Sequence, residues 1–273
     1  MSVKNVLMDH QRVHSWKLQK NPYNGLAVFD DVGTGKTISA LNIISNILGA
    51  IKELNKELTH PILIVVPPAL IEKWTGECQK WCNISPKHAK YHRGALTLHP
   101  GVNILSHGSL EGPPPTNIDR IGVLIVDEVH HFRNQETQSS KILHKFCLSS
   151  EYRVLLTATP LQNSRDDLIS ILQYVLPHCR RTTVETLVTE AISMKNPSLL
   201  RPLITRCAIK TNDANRKITD HDVEMSEREF EFCRNFFDSK TSKSLSDIVL
   251  MKMAASSFVS VPKTHWAHIG ITR

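Results

Sequence analysis

Residues 30–37, Asp-Asp-Val-Gly-Thr-Gly-Lys-Thr, bring together the residue types that a phosphate-binding turn needs. Gly33 and Gly35 leave backbone N–H groups free to point inward at an anion, where side chains would crowd it. Lys36 can reach the β and γ phosphates of a nucleotide, and the Thr37 hydroxyl can ligate magnesium. The strict G-x-x-x-x-G-K-[ST] spacing asks for glycine at position 30, where this chain has aspartate. A purely structural turn would account for the glycines but not for the lysine and threonine behind them.

A nucleotide site also needs groups to hold the metal and to activate water. Asp127 and Glu128 end the apolar run Gly-Val-Leu-Ile-Val, which puts them at the carboxyl edge of a sheet, where open α/β folds bind ligands. Asp127 is expected to hold magnesium through its water shell, and Glu128 to polarise the attacking water. An Asp-Glu pair alone is usually a solvated strand end; the buried strand before it and His130 after it favour catalysis. A third stretch, Leu-Leu-Thr-Ala-Thr-Pro-Leu-Gln-Asn-Ser from 155, offers Thr157 and Thr159 as partners for the acidic pair or the γ-phosphate. Strand propensity explains those threonines equally well.

These groups need a frame. Apolar runs at 25–30, 61–67, 102–106, 122–127 and 153–157 read as strands, with amphipathic helices at 36–50, 69–82, 138–148 and 164–175 between them. Continuous Val/Ile/Leu strands alternating with helices argue an α/β fold, a parallel sheet covered on both faces. Beyond 177 the pattern changes: 182–212 reads as helical, and Ser226 followed by Glu229 has the form of a capping box. The expected division is a nucleotide-binding lobe over 1–177, a helical appendage over 178–256 and a tail over 257–273.

Lys and Arg number 33 against 26 Asp and Glu, a net charge of +7. That excess suits a polyanion such as nucleic acid, although a merely soluble basic surface would show it too. No secretory leader precedes the first strand, and the apolar runs are too short to span a bilayer, so a soluble protein in a reducing compartment with no membrane partner is expected. Cys78, Cys82, His88 and His92 invite a zinc reading, but the five residues between the pairs are too few for a finger. Leu70, Ile71, Trp74, Cys78 and Trp81 fall at helical spacing, so core-facing cysteines are the better account.

Taken in order, DDVGTGKT, DEVHHFRN and LTATPLQNS resemble three nucleotide motifs of the superfamily 2 helicase-like ATPases, and more narrowly the Swi/Snf family of chromatin-remodelling, DNA-translocating ATPases. That family carries an acidic residue at the position of Asp30 and a basic-Asn pair at Arg133 and Asn134. The segment LMDHQRVHSWKL (7–18) is similar to the one whose glutamine, here Gln11, reads adenine. Residues 61–81 resemble the strand–loop–helix whose loop touches the DNA backbone. Residues 199–210 and 218–233 look like the segment that closes the lobe, with its arginine at Arg206. Val129 and Cys207 depart from the family's usual Ala and Arg.

The resemblance implies a RecA-like P-loop NTPase lobe with ATP and Mg2+ as ligands. Gly33, Thr34, Gly35, Lys36 and Thr37, with Asp31 and Gln11, would bind the nucleotide. Thr37 and Asp127 would serve the metal, and Glu128, Asp127 and Lys36 would be the catalytic set. Double-stranded DNA, and in chromatin the nucleosome, would be the partner, through Lys73, Pro67–Pro68, Ser106–His107 and Gln162–Asn163. Nuclear location follows from the family. The resemblance further implies a second RecA-like lobe, which is not found in these 273 residues. One lobe would bind Mg-ATP and hydrolyse it weakly or not at all. The alternative is a non-catalytic module, a pseudo-ATPase that holds DNA or a partner without turnover.

Overall fold

The computed structural model describes residues 7–53, 60–116, 118–160 and 165–207. All of them belong to one compact unit that runs from 1 to 210. In chain order its elements are α1 (Asp9–Lys20), β1 (Gly25–Val28), α2 (Lys36–Glu53), β2 (Ile62–Val66), α3 (Ile71–Cys82), β3 (Lys87–His88), β4 (Lys90–His92), β5 (Ala95–Thr97), β6 (Val102–Ser106), β7 (Ile121–Val126), α4 (Gln138–Leu148), β8 (Ser150–Leu156), α5 (Arg165–Val175), α6 (Arg181–Ser193) and β9 (Ile204–Thr205). Seven strands form one parallel sheet in the order β3-β6-β2-β7-β8-β1-β9, while β4 and β5 make a separate antiparallel hairpin.

Successive strand residues point to opposite faces, so an uninterrupted apolar strand feeds two cores at once. Ile62, Ile64 and Val66 of β2 pack with Leu18 of α1, Leu41 and Ile44 of α2, and Trp74 and Cys78 of α3. Leu63 and Val65 face the other way, toward Leu143 and Phe146 of α4, Ile171 and Leu172 of α5, and Val184 and Val188 of α6. The first three helices thus cover one face and the last three the other. Each fully buried aliphatic side chain contributes roughly 1.5–3 kcal/mol, a reserve against which buried charges at the sheet edges can be held.

Strand register decides what emerges together. Val126 pairs with Leu155, and Val28 with Leu156, so the turns after β7, β8 and β1 leave the carboxyl edge side by side. At the opposite edge Arg153 is buried, and its guanidinium donates to the carbonyls of Val175, Cys147, Ser150 and Tyr23. Two of those carbonyls close the ends of α4 and α5, where a cation suits the unpaired carbonyls of the last turn.

One expectation needs correction. Helix over 182–212 stops at Ser193, and the chain returns as β9 in parallel pairing with β1, so the lobe does not close at 177. The reason is local: Asn196, Pro197 and Pro202 break the helix, and Ile204–Thr205 completes an otherwise open sheet edge. The capping box at Ser226 and the tail over 257–273 lie outside the described residues. No helix among the described residues is long and apolar enough to cross a membrane.

Candidate nucleotide site

The expected phosphate loop, residues 30–37, joins β1 to the first turn of α2. Gly33 and Gly35 sit at φ +86° and +82°, left-handed conformations that side chains rarely adopt. Gly35 is doubly constrained, since a Cβ there would stand 2.5 Å from the Gln11 amide nitrogen. Thr34 folds its hydroxyl back onto the Asp31 carbonyl at 2.7 Å, which holds the loop's shape from within. Lys36 opens α2 and donates to the carbonyls of Asp30 (2.9 Å) and Asp31 (3.2 Å). Its partners are neutral oxygens, so its charge is available to an anion at the helix N-terminus. Thr37 is half-buried in the same turn.

Gln11 reaches the loop from α1. Its amide donates to the Thr34 carbonyl at 3.1 Å, and its oxygen accepts from the Met8 N–H at 3.0 Å. His10 approaches the same Thr34 carbonyl at 3.0 Å. The start of α1, expected to read adenine, and the loop after β1 are therefore one hydrogen-bonded unit.

At the end of β7, Asp127 is buried, and its carboxylate accepts from the Trp74 indole N–H at 2.8 Å and from the Glu128 N–H at 3.0 Å. Burial raises its pKa above the usual carboxylate value and Glu128 adds to this, while the Trp74 bond and the nearby Lys36 charge oppose them. Glu128 sits at φ +49°, an uncommon position for a non-glycine residue. Its Oε2 lies 3.1 Å from Nδ1 of His130, and the same nitrogen is 2.9 Å from the Thr157 hydroxyl. Burial lowers the His130 pKa, with help from His131 and Arg133, so the contact is with a neutral ring rather than an ion pair. Thr157 in turn accepts from the Thr159 N–H at 3.1 Å. A continuous chain of polar contacts thus links Glu128 to the turn after β8.

Asp30 replaces the expected glycine with a buried tie. One carboxylate oxygen accepts from the Cys207 N–H at 2.7 Å, and the other lies 3.3 Å from Nε2 of His14 on α1. Both side chains are buried: desolvation raises the Asp30 pKa, and the His14 pKa falls to about 4 through burial and the neighbouring His10 and Lys17 charges. His14 is therefore neutral at pH 7, and its Nδ1 has no hydrogen-bond partner. The ladder between the strand edges continues past the sheet, from Ala27 N–H to Leu203, Phe29 N–H to Thr205 and Asp31 N–H to Cys207 carbonyls. Arg206 adds an exposed contact to Asp31 at 3.7 Å.

Residues 11–234 match the model of the SNF2-related domain. This chain belongs to the SNF2-related family. It is 30% identical over 190 residues to a probable chromatin-remodeling complex ATPase chain of Oryza sativa subsp. japonica, covering 64% of this chain and 16% of that protein. It is 31% identical over 174 residues to the chromatin structure-remodeling complex subunit snf21 of Schizosaccharomyces pombe, covering 59% of this chain and 14% of that one. The chain thus spans about a sixth of these relatives' length. The Sulfolobus solfataricus SWI2/SNF2 ATPase core, solved in complex with dsDNA, superposes with a TM-score of 0.57 at 21% identity, over 91% of this chain and 58% of that one. That likeness carries the fold, a RecA-like α/β lobe.

Within this SNF2-related domain the expected nucleotide residues meet at one edge, while the expected DNA-contact residues divide. Lys73 and Pro68 are exposed. His107 is not an outward contact: its ring packs edge-on against Phe132 at 4.7 Å and His131 at 5.7 Å, with Nε2 shielded from solvent. Burial and His131 take its pKa to about 4. It supports the acidic turn from below. Gln162 and Asn163 lie outside the described residues. Cys78 is buried on α3, and Cys82 on the same helix packs against the α2 side of the core. Trp74, His14 and the inward role of His107 escaped the sequence reading. Trp74 fell at core spacing, and its only signal was that a buried indole N–H needs an acceptor.

Proposed function

We propose that this chain is the ATP-binding lobe of a DNA-dependent ATPase that works on chromatin or another protein–DNA complex. The observation that carries the reading is the convergence at one sheet edge of a lysine on neutral carbonyls, a carboxylate held by Trp74, and a glutamate linked through His130 to Thr157. The loop fits a polyphosphate: its glycines adopt φ values that clear the cradle, and its cation opens a helix. The metal's donor set fits too, a hydroxyl from Thr37 and a carboxylate from Asp127. Magnesium, when bound with ATP, supplies neutralisation of the phosphate oxygens.

The protein's own groups then have separate tasks. Lys36 swings from the Asp30 and Asp31 carbonyls to the β and γ phosphates. Trp74 keeps Asp127 fixed, so that its orientation costs nothing when the metal arrives. Glu128 orients and deprotonates water, and His130 holds the carboxyl against Thr157, through which the state of the site reaches residue 159. Gln11 is placed to read adenine from α1. Hydrolysis at full rate is expected to need an arginine from a second lobe, a contribution on the order of 10³–10⁵ in related phosphoryl transfer. Nuclear location is proposed from the chromatin roles named for the relatives.

Titration of Mg-ATP into the chain and into Lys36→Ala tests the reading. Saturable binding that the variant loses is the expected result. A parent that does not bind nucleotide would leave only a non-catalytic binding module.

A further inference from the structure

From Cys78 to Leu110 the sequence contains no aspartate or glutamate, yet it holds Lys80, Lys87, Lys90 and Arg93, an excess equal to four of the chain's seven net positive charges. Surfaces that only need solubility mix the two signs. The structure gathers the last three cations onto β3 and the β4–β5 hairpin, all exposed. Among the described residues none of these three has an ion-pair partner.

The hairpin is built to hold them still. Tyr91 faces inward between the exposed Lys90 and His92, its ring edge-on to Phe146 at 5.7 Å and its hydroxyl donating to the Pro113 carbonyl. The turn is two residues long, with Arg93 at φ +50° and Gly94 at φ +80°. Such turns favour Asn, Asp or Gly at the first position. An arginine there is a strained choice for the backbone, so the residue is explained by its side chain rather than by the turn. The hairpin follows the carboxyl end of β3, so it rises at the same sheet edge as the phosphate loop but at the opposite end of the strand order from β1.

We propose that this hairpin grips the phosphate backbone of nucleic acid, through Lys87, Lys90 and Arg93, as a contact surface distinct from the loops around the nucleotide. It rests on the DNA half of the function proposed above. A uniformly charged backbone needs fixed cations and no apolar anchor. An acidic peptide would draw its affinity from buried anchors, and the hairpin's outward residues supply none.

The test uses the whole chain and a short mixed-sequence DNA duplex, with the binding constant followed across a salt series. Each phosphate contact contributes about 0.9 to the slope of log K against log salt. The triple variant Lys87→Gln, Lys90→Gln, Arg93→Asn should lower that slope by roughly 2–3, whereas Lys20→Gln, Lys145→Gln, Lys195→Gln, which removes equal charge elsewhere, should not. Arg93→Asn alone should keep the thermal midpoint, since Asn suits the turn, and still lower the slope by about 0.9. Mg-ATP titration runs in parallel on every variant. Equal slopes for the two triple variants overturn the hairpin assignment and leave the nucleotide reading standing. A parent that binds Mg-ATP but no duplex overturns the assignment together with the DNA half. Loss of polyglutamate binding in the hairpin variant, with duplex binding unchanged, assigns the surface to an acidic protein instead and overturns the proposal.

Discussion

At the amino edge of the sheet Arg153 is buried with its guanidinium directed at four carbonyl oxygens, so a full charge sits in the interior with its donors engaged. At the carboxyl edge Asp127 is held by two donors, while the buried Asp30–His14 pair is incompletely served: His14 Nδ1 has no hydrogen-bond partner and Asp30 Oδ2 only the 3.3 Å approach of His14 Nε2, and burial pushes all three away from their charged forms. The first arrangement holds two helix ends and a turn together. The second leaves buried polar groups short of partners beside the proposed nucleotide site, the pattern expected where function is weighed against stability.

Four experiments sharpen or break that contrast. Arg153→Leu should cost the most, about 3–5 kcal/mol in urea unfolding, because buried carbonyls lose their donor. Mg-ATP affinity of the folded fraction should hold, and a loss would make Arg153 part of the site. Next in size is the acid limb of stability. His14 and His107 have pKa values of about 4 in the fold against 6.5 when exposed, so the unfolded chain binds their protons first. The stability this represents is present above pH 6.5 and drains away as pH falls toward about 4, on the order of 3 kcal/mol for each ring. Thermal midpoints of His14→Gln and His107→Gln should each flatten against pH in that window; an unchanged slope would mean that the rings are open to water.

Trp74→Phe keeps the packing but strips Asp127 of a donor, with an expected cost of about 1–3 kcal/mol. Magnesium-dependent nucleotide binding should weaken more than the stability loss explains, and a purely thermal effect would reduce Trp74 to core. The smallest effect carries the opposite sign. A carboxyl whose pKa is raised on folding binds its proton more tightly in the native state, so stability falls as pH rises past the unfolded value. Asp127→Asn should therefore raise the thermal midpoint at pH 7 while magnesium-dependent nucleotide binding weakens. A lower midpoint would mean that the charge is stabilising where it stands.

The parallel sheet was legible because period and composition agreed along every long strand, and each of the four expected helices begins within two residues of the observed one. The placement of residues 30–37 and 127–128 at the carboxyl edge was legible because each stretch directly follows an apolar strand. What escaped reading depends on contacts between distant segments. Trp74 meets Asp127 across 53 positions and Asp30 meets Cys207 across 177, and no local pattern encodes such a pairing. Two-residue β9 is too short to show alternation, and it is set by an open sheet edge rather than by propensity. The cations of the hairpin escaped the sequence reading, because they form no basic run and only folding places them on one hairpin.

The rungs that join residues 203–207 to 27–31 have a mechanical meaning. Because β9 runs parallel to β1, a pull along the strand on the chain beyond Cys207 loads those rungs in shear, so they share the force instead of peeling one by one. The outermost rung is the bond between Cys207 and Asp31, at the mouth of the phosphate loop. Tension on the chain would thus be shared with the loop after β1, which couples the proposed nucleotide site to the load on the lobe's last strand.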